Sequence, residues 1–281
     1  MRESQKKTVI KPKTGWFDID IKELARYRDL IWMFVKRNFS VQYKQTILGP
    51  LWFVINPLLT TVMFTFVFGR VAGISTDGVP QFLFYMSGNT FWSYFATCLT
   101  STSNTFTNNA GLFGKIYFPR LTVPVSTVIF SGISFLIQLG MLTCFTIYYA
   151  VSGADIAVHR ELLLLPVWMV QIALLGLGVG IVISSLTTKY RDLTILVSFG
   201  VQLWMYVTPV VYPVSGLSGR MKGLLLLNPV APIINNFRYV LLGCGTMEWG
   251  YWYISLIVTG AVLFLGTVIF NRVEKTFMDT V

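Results

Sequence analysis

The stretch LLLLPVWMVQIALLGLGVGIVISSL, residues 162–186, runs twenty-five residues without a charge. About 20 predominantly apolar residues carry a helix across a bilayer. A strand of a membrane barrel would alternate apolar and polar positions over short segments, and this stretch does not. It reads as a membrane-spanning helix, and the chain as an all-α integral membrane protein.

Five further apolar runs, 52–69, 82–100, 122–149, 193–211 and 251–271, bring the expected spans to six. The runs at 122–149 and 162–186 exceed the minimum and can tilt or extend beyond the hydrocarbon. Mean hydropathy is +0.64, and only 12% of residues are charged, about half the soluble average of ~25%. Gly176, Gly180 and Ser184 recur every four residues, a small-residue stripe suited to close helix packing.

Upstream, QYKQTILGPLWFVINPLLT (residues 42–60) passes from polar to apolar in mid-stretch. Pro50 disfavours helix at Gly49 and is itself well placed in a helix's first turn. A surface helix is therefore expected to end near Leu48 and a span to begin after Gly49-Pro50. Pro57, about two turns further in, is expected to bend that span and free a carbonyl for Asn56 or a neighbour. Gly49, Pro50 and Pro57 form the candidate hinge.

Before the joint, Asp20 and Glu23 have the spacing of a capping box. Leu24, Tyr27, Leu30, Ile31, Phe34 and Val35 follow at helical spacing, with Lys22, Arg26, Asp29, Lys36 and Arg37 on other faces. Such a helix is too charged to cross and reads as an amphipathic interface helix. Two domains follow: residues 1–50 as a basic cytoplasmic tail and interface helix, and 51–281 as the transmembrane domain.

MRESQKKTVIKPKTG at the start lacks the apolar core of a signal peptide, so both termini are expected in the cytoplasm. Seventeen Lys and Arg then fall on the cytoplasmic side and five outside, a positive-inside distribution. It accounts for most of the +10 net charge, so basicity gives no reason to expect nucleic acid. Cys98, Cys144 and Cys244 follow no metal or redox spacing and read as packing residues. His159 reads as a surface histidine in an outer loop.

Between the last two spans, GLLLLNPVAPII (223–234) and FRYVLL (237–242) are too short to cross. They suggest short re-entrant or outer-interface helices. The span cores contain no Asp, Glu, Lys, Arg or His. That discourages an ion-coupled carrier, a voltage sensor, or a membrane-embedded metalloenzyme or glycosyltransferase. The sequence also has no GxxxxGK[ST] phosphate loop, so any energy must come from a partner.

The chain instead has 22 Phe, 13 Tyr and 8 Trp. Trp52, Trp249, Tyr251 and Trp252 suit interfacial belts. Phe64, Phe68, Phe91, Phe95, Phe199, Trp204 and Tyr206 lie deeper, as packing residues or as a channel wall on which sugar rings slide. Thr60, Thr65, Asn89, Ser93, Thr97 and Gln202 could meet sugar hydroxyls.

Four segments, QYKQTILGPLWFVINPLL, FGKIYFPRLTVP, KYRDL and NPVAPIINNFRYVLL, together resemble the ABC-2 type permeases that export cell-surface polysaccharides. O-antigen exporters are the nearest in character, with capsule and teichoic acid exporters as relatives. The resemblance covers nearly the whole chain from residue 20, with the motifs in order.

It implies a homodimer of six-helix subunits joined to two copies of a cytoplasmic ABC ATPase. ATP and Mg would be bound by that partner, with no cofactor in this chain. The cargo it implies is a polysaccharide on a lipid-pyrophosphate carrier; other ABC-2 cargoes include drugs and lipids. Asn109, Phe113, Lys115, Tyr117, Phe118 and Arg120 would form the ATPase-coupling segment, and Tyr190, Arg191 and Asp192 a second cytoplasmic contact. Asn228, Pro229 and Arg238 would belong to an outer gate. There Arg238 would meet pyrophosphate, stabilise the gate, or reach the interface as a snorkelling arginine.

Overall fold

The computed structural model describes residues 21–44, 46–113, 118–187 and 192–280, and every regular element in them is helical. The two ends of the surface region are α1 (Ile21–Arg26) and α2 (Arg28–Tyr43). The first long segment is α3 (Trp52–Phe64), entered through a tight turn at Gly49–Leu51 and extended by a wider π turn at Thr65–Val71. Then come α4 (Gln81–Ser103), α5 (Thr105–Phe113), α6 (Thr122–Val151) and α7 (Leu165–Thr187). The chain closes with α8 (Leu193–Val207), α9 (Gly219–Leu226), α10 (Ala231–Leu242) and α11 (Trp249–Thr280).

Four segments are long and apolar enough to cross a membrane: Gly49–Val71, Thr122–Val151, Arg160–Thr187 and Trp249–Val273. They correspond to the runs at 52–69, 122–149, 162–186 and 251–271. The other two expected spans differ from the expectation for separate reasons. At 23 residues α4 has the length, about 35 Å at 1.5 Å per residue. It is too rich in Ser, Thr and Asn to read as apolar. Sixteen of its residues are buried, so protein rather than lipid surrounds it and hydropathy no longer constrains it. Helix α8 has only 15 residues and stops at Val207 instead of 211. Thr208 there turns extended, with its backbone N–H and hydroxyl both donating to the Trp204 carbonyl.

The centre of the bundle is a seam of close backbone contacts. Helix α4 packs most extensively on α7, and α7 in turn on α11. A Cβ on Gly180 would lie 2.6 Å from Thr102 Cβ and 2.9 Å from the Leu99 carbonyl oxygen. One on Gly176 would lie 2.7 Å from Cys98 Cβ. The stripe read from the sequence is therefore the α4-facing side of α7. On the opposite side, a Cβ on Gly178 would come within 3.0 Å of Leu263 Cα, and one on Gly266 within 2.8 Å of the Gly178 carbonyl oxygen. Gln171 ties the same helices together: it donates to the Ser255 hydroxyl (2.8 Å) and accepts from the Trp252 indole (2.8 Å). Trp252 is thus buried, 6% exposed, and is no belt residue, while Trp52 and Trp249 remain exposed.

Helix α2 turns inward the face its spacing predicted. Phe34 and Val35 are buried, Leu30 and Ile31 half-buried, and Arg26, Asp29, Lys36 and Arg37 exposed. Asp20, needed for the capping box, lies outside the described residues. The helix ends at Tyr43 rather than near Leu48, because Thr46 hydrogen-bonds the Tyr43 carbonyl through both its N–H and its hydroxyl. The bend falls at Gly49, whose φ is +48°, a region that side-chain-bearing residues enter at a cost of about 1–2 kcal/mol.

A Cβ there would meet nothing within 4 Å. Gly49→Ala is accordingly expected to cost about 1–2 kcal/mol from backbone strain alone. Gly49→Asn should recover part of it, since Asn tolerates that conformation. Thermal unfolding of the three purified proteins would check the order; equal melting of glycine and alanine would remove Gly49 as a constrained joint.

Pro57, expected to bend the span, lies inside α3, which stays helical through it, and the departure from α geometry comes at Thr65. The Thr60, Thr61 and Thr65 hydroxyls donate back to the carbonyls of Asn56, Pro57 and Thr61 at 2.9, 2.7 and 2.8 Å. All three acceptors lie downstream of the Phe53 carbonyl that the missing proline N–H leaves open, and back-bonding of this kind favours a slight bend in a helix.

Candidate functional site

A groove of about 930 Å³ opens between α2, α3, α4, α5 and α6, within the roughly 300–1,000 Å³ of small-molecule sites. One wall comes from Asn89, Ser93, Thr97, Thr100 and Asn104. Their three- and four-residue spacing places them on one face of α4 and its end. The facing wall is Thr127, Ser131, Ser134 and Gln138 of α6, again at helical spacing. Asn56 and Thr60 of α3 line the groove, with Trp52 beside them. Arg37 is the one charged side chain among the described lining residues.

The two polar walls join directly. Ser93 donates to the Gln138 amide oxygen at 3.0 Å, and the Gln138 amide nitrogen donates to Ser134 at 3.1 Å. Four of the six hydroxyl and amide residues singled out in the sequence, Thr60, Asn89, Ser93 and Thr97, fall in this groove; Thr65 and Gln202 do not. The α6 wall was missed, although hydroxyls and a glutamine repeating at helical spacing inside an apolar span are a readable signal.

The candidate aromatics divide. Phe91 is fully buried between Phe135 and Phe237, with ring centroids 5.1 and 4.5 Å away. Phe95 is equally buried and meets Trp204 edge-on. Trp204 is half-buried and donates to Asn228 at 3.1 Å. Phe64 and Phe68 form a half-buried edge-on pair after Pro57. Phe199 and Tyr206 stand out from α8, 59% and 49% exposed. None of these seven lines the groove, whose aromatic lining is Tyr43, Trp52, Phe53 and Phe130.

The segment for which the resemblance implied ATPase coupling packs against α2. Arg37 donates to Asn109 at 3.2 Å and lies 4.8 Å above the Phe34 ring. Phe34 meets Phe118 at 5.6 Å, Phe118 meets Phe113 at 5.8 Å, and Arg120 lies 5.6 Å over Phe113. Phe113 and Phe118 are each only 5% exposed, so they anchor the segment on the bundle instead of offering an outer contact face. Lys115, Tyr117, Tyr190 and Arg191 lie outside the described residues. Asp192 is exposed just before α8.

The gate residues hold a second knot. Asn228 accepts from Trp204 and from the Val230 N–H, and donates to Thr208 at 2.8 Å. The Pro229 carbonyl accepts from Ser255 at 2.6 Å. Helix α10 is nearly enclosed, with eleven of its twelve residues buried. Among the described residues, Arg238 is the only charged side chain in the buried class, 3% exposed.

Its guanidinium donates to the Ser87 hydroxyl (3.3 Å) and to the carbonyls of Phe84 (3.1 Å), Pro209 and Val210. It also lies 3.7 Å from the Phe84 ring centroid. A planar five-donor fork suits this set of acceptors. Of the three readings left open by the sequence, the geometry gives a strut joining α10, the start of α4 and the turn after α8. The histidine expected in open solvent, His159, is instead half-buried and stacked on Tyr239 at 4.4 Å.

Apolar helices around a polar groove with Arg37 as its one described charge, and a buried arginine spent on packing, make this a helical membrane protein with a polar recess in its bundle. The chain belongs to the ABC-2 type transporter family, whose model matches residues 29–242. It is 30% identical over 258 residues to an O-antigen export system permease protein, RfbA, of Klebsiella pneumoniae, covering 89% of this chain and 94% of that protein. A protein of the same name from Myxococcus xanthus is 26% identical, with 78% of this chain and 83% of that protein covered.

Proposed function

We propose that the chain is the membrane-spanning subunit of an ATP-driven exporter, moving a lipid-linked cell-surface polysaccharide of the O-antigen kind out of the cytoplasm. The observation that carries this reading is the groove lining, hydroxyls and amides with a single cation, in a chain related to O-antigen export permeases. Neutral polar walls suit a cargo made mostly of neutral hydroxyl groups.

In the proposed assembly, two copies of this subunit lie in the bacterial inner membrane with both termini in the cytoplasm. Helices α4 and α8 complete six crossings, α4 shielded by its neighbours and α8 short. The short α9 and α10 form the outer gate, and Phe199 and Tyr206 on exposed α8 face the path between the two copies. Two ABC ATPase subunits, binding ATP and Mg, dock where α2 and the segment from Asn109 to Arg120 come together.

Deleting the gene should abolish surface polysaccharide while lipid-linked polymer accumulates inside the cell, read by glycan immunoblotting of intact and lysed cells. The purified chain alone should hydrolyse no ATP. Undiminished surface polysaccharide would point to another cargo, and ATP hydrolysis by the isolated chain would sink the two-subunit scheme.

A further inference from the structure

The two polar walls of the groove change character at the same level. On α4 the lining face runs from Asn104 back to Asn89, and on α6 from Thr127 on to Gln138. Continued by seven residues, almost two turns, the α4 face reaches Phe82 and the α6 face reaches Phe145. Those two rings meet edge-on, with centroids 4.9 Å apart. One turn nearer the polar walls, Met86 and Leu142 are buried. Where the polar faces end, Ser93 and Gln138 bridge them at 3.0 Å.

The other end is exposed and polar. Arg37 and Asn108 are exposed there, and the Asn104 and Asn109 amides each give one proton to a backbone carbonyl, at 2.9 and 3.0 Å. An amide carries two protons and two lone pairs, so this lining holds more polar capacity than its own helices use. From Asn104 to Asn89 it spans about 22 Å at 1.5 Å per residue, a large part of a hydrocarbon core of about 30 Å. Polar groups at such depth are tolerated where protein or water satisfies them. A groove of about 930 Å³ is many times the ~30 Å³ that one water occupies in the liquid.

We infer that the groove is a water-filled vestibule, open toward the cytoplasm and sealed on the outer side by the Phe82–Phe145 pair beyond the Ser93–Gln138 bridge; its direction rests on the orientation proposed above. Water and small polar solutes enter among the hydroxyls and amides and stop at the rings. To go further, an ion would exchange its water for ring faces and aliphatic side chains, which offer it no comparable partner. A wide polar recess can thus exist inside each subunit without making it a leak. The vestibule ends within the subunit and is no through-route, so passage outward belongs to the path between the two copies.

The test uses the full chain in membranes of cells expressing the whole transporter, with its three native cysteines replaced by alanine and single cysteines introduced. The probe is a charged, membrane-impermeant methanethiosulfonate, added to inside-out vesicles or to right-side-out spheroplasts. Thr97→Cys in the groove is compared with Ile257→Cys, exposed on α11. From the cytoplasmic side Thr97→Cys should react at least about tenfold faster than Ile257→Cys, because a thiol in apolar surroundings forms little thiolate. From the outside it should not react. Phe82→Ala together with Phe145→Ala should admit the reagent to Thr97→Cys from outside. A C-terminal tag, expected to be digested by protease in inside-out vesicles only, fixes the orientation independently.

A tag on the outer side would overturn the proposed orientation and with it the direction of the vestibule. With the tag cytoplasmic, equal rates at Thr97→Cys and Ile257→Cys would mean that lipid or protein fills the groove, and the vestibule would be wrong. Labelling of Thr97→Cys from outside with both rings intact would remove the seal. So would continued protection from outside once both rings are cut to alanine, read on folded protein that elutes as wild type. Surface polysaccharide unchanged by gene deletion would refute the export reading and leave the vestibule standing.

Discussion

Arg238→Met is expected to destabilise the purified protein by about 3 kcal/mol or more and to stop export. The Arg238 guanidinium satisfies the Pro209 and Val210 carbonyls in a non-helical turn, together with Phe84 and Ser87. Removing it strands buried acceptors at about 1–3 kcal/mol each. Methionine restores volume and nothing else. Arg238→Lys should recover only part, because an ammonium cannot reach acceptors on three segments as a planar fork does.

Gly88→Ala attacks the same knot from the other side. Its Cβ would fall against the Arg238 guanidinium and 2.7 Å from the Val210 carbonyl oxygen. Both variants should lose monodisperse protein on heating in detergent well below wild type. If Arg238→Met melts like wild type, the strut assignment is wrong and Arg238 is free for another role.

Gly180→Val is expected to have an effect of similar size by a different route. The added Cβ would lie 2.6 Å from Thr102 Cβ and 2.9 Å from a backbone oxygen, and backbone cannot move aside as a flexible side chain can. Overpacking of this kind costs about 1–3 kcal/mol or more, and here it would push α4 off α7 along their whole contact. Gly140→Ala in α6 is the control, since a Cβ there meets nothing within 4 Å. It should be neutral or stabilise by about 0.5–1 kcal/mol through helix propensity. Equal behaviour of the two glycines in a thermal melt would refute the seam.

Much of the architecture was legible because lipid imposes a uniform demand. A helix with lipid on one side must be apolar, and 122–149, 162–186 and 251–271 announced themselves on that ground. The demand lapses for α4, enclosed by protein, so the run at 82–100 was readable as a long helix while its Ser, Thr and Asn keep it out of the four segments apolar enough to cross. Aromatic residues carried the least information. Phe91 in the core and Phe199 on an exposed helix face are the same residue type, and only the packing separates them.

A stabilising role for Arg238 was one of three readings open from the sequence, and nothing there could single it out, because most of its partners are backbone carbonyls, which leave no trace in side-chain identity. The groove was half readable: the α4 hydroxyls stood out, and the repeat Thr127, Ser131, Ser134, Gln138 would have completed it had helical spacing been applied to polar residues in α6.

The glycines on both faces of α7 have a mechanical consequence. Where backbones touch, repulsion rises steeply and no side-chain rotamer can absorb displacement, so α4, α7 and α11 behave as one stiff chassis. Movement of any one carries the other two. The groove has this chassis on one side through α4. On the other side lie α2 and α3, and α2 reaches the α5 end of the groove through the Arg37–Asn109 bond and the Phe34–Phe118 contact. Its width is therefore the adjustable dimension of the subunit. A force applied at α2 would change the spacing between the polar walls and the α3 side before it disturbed the chassis.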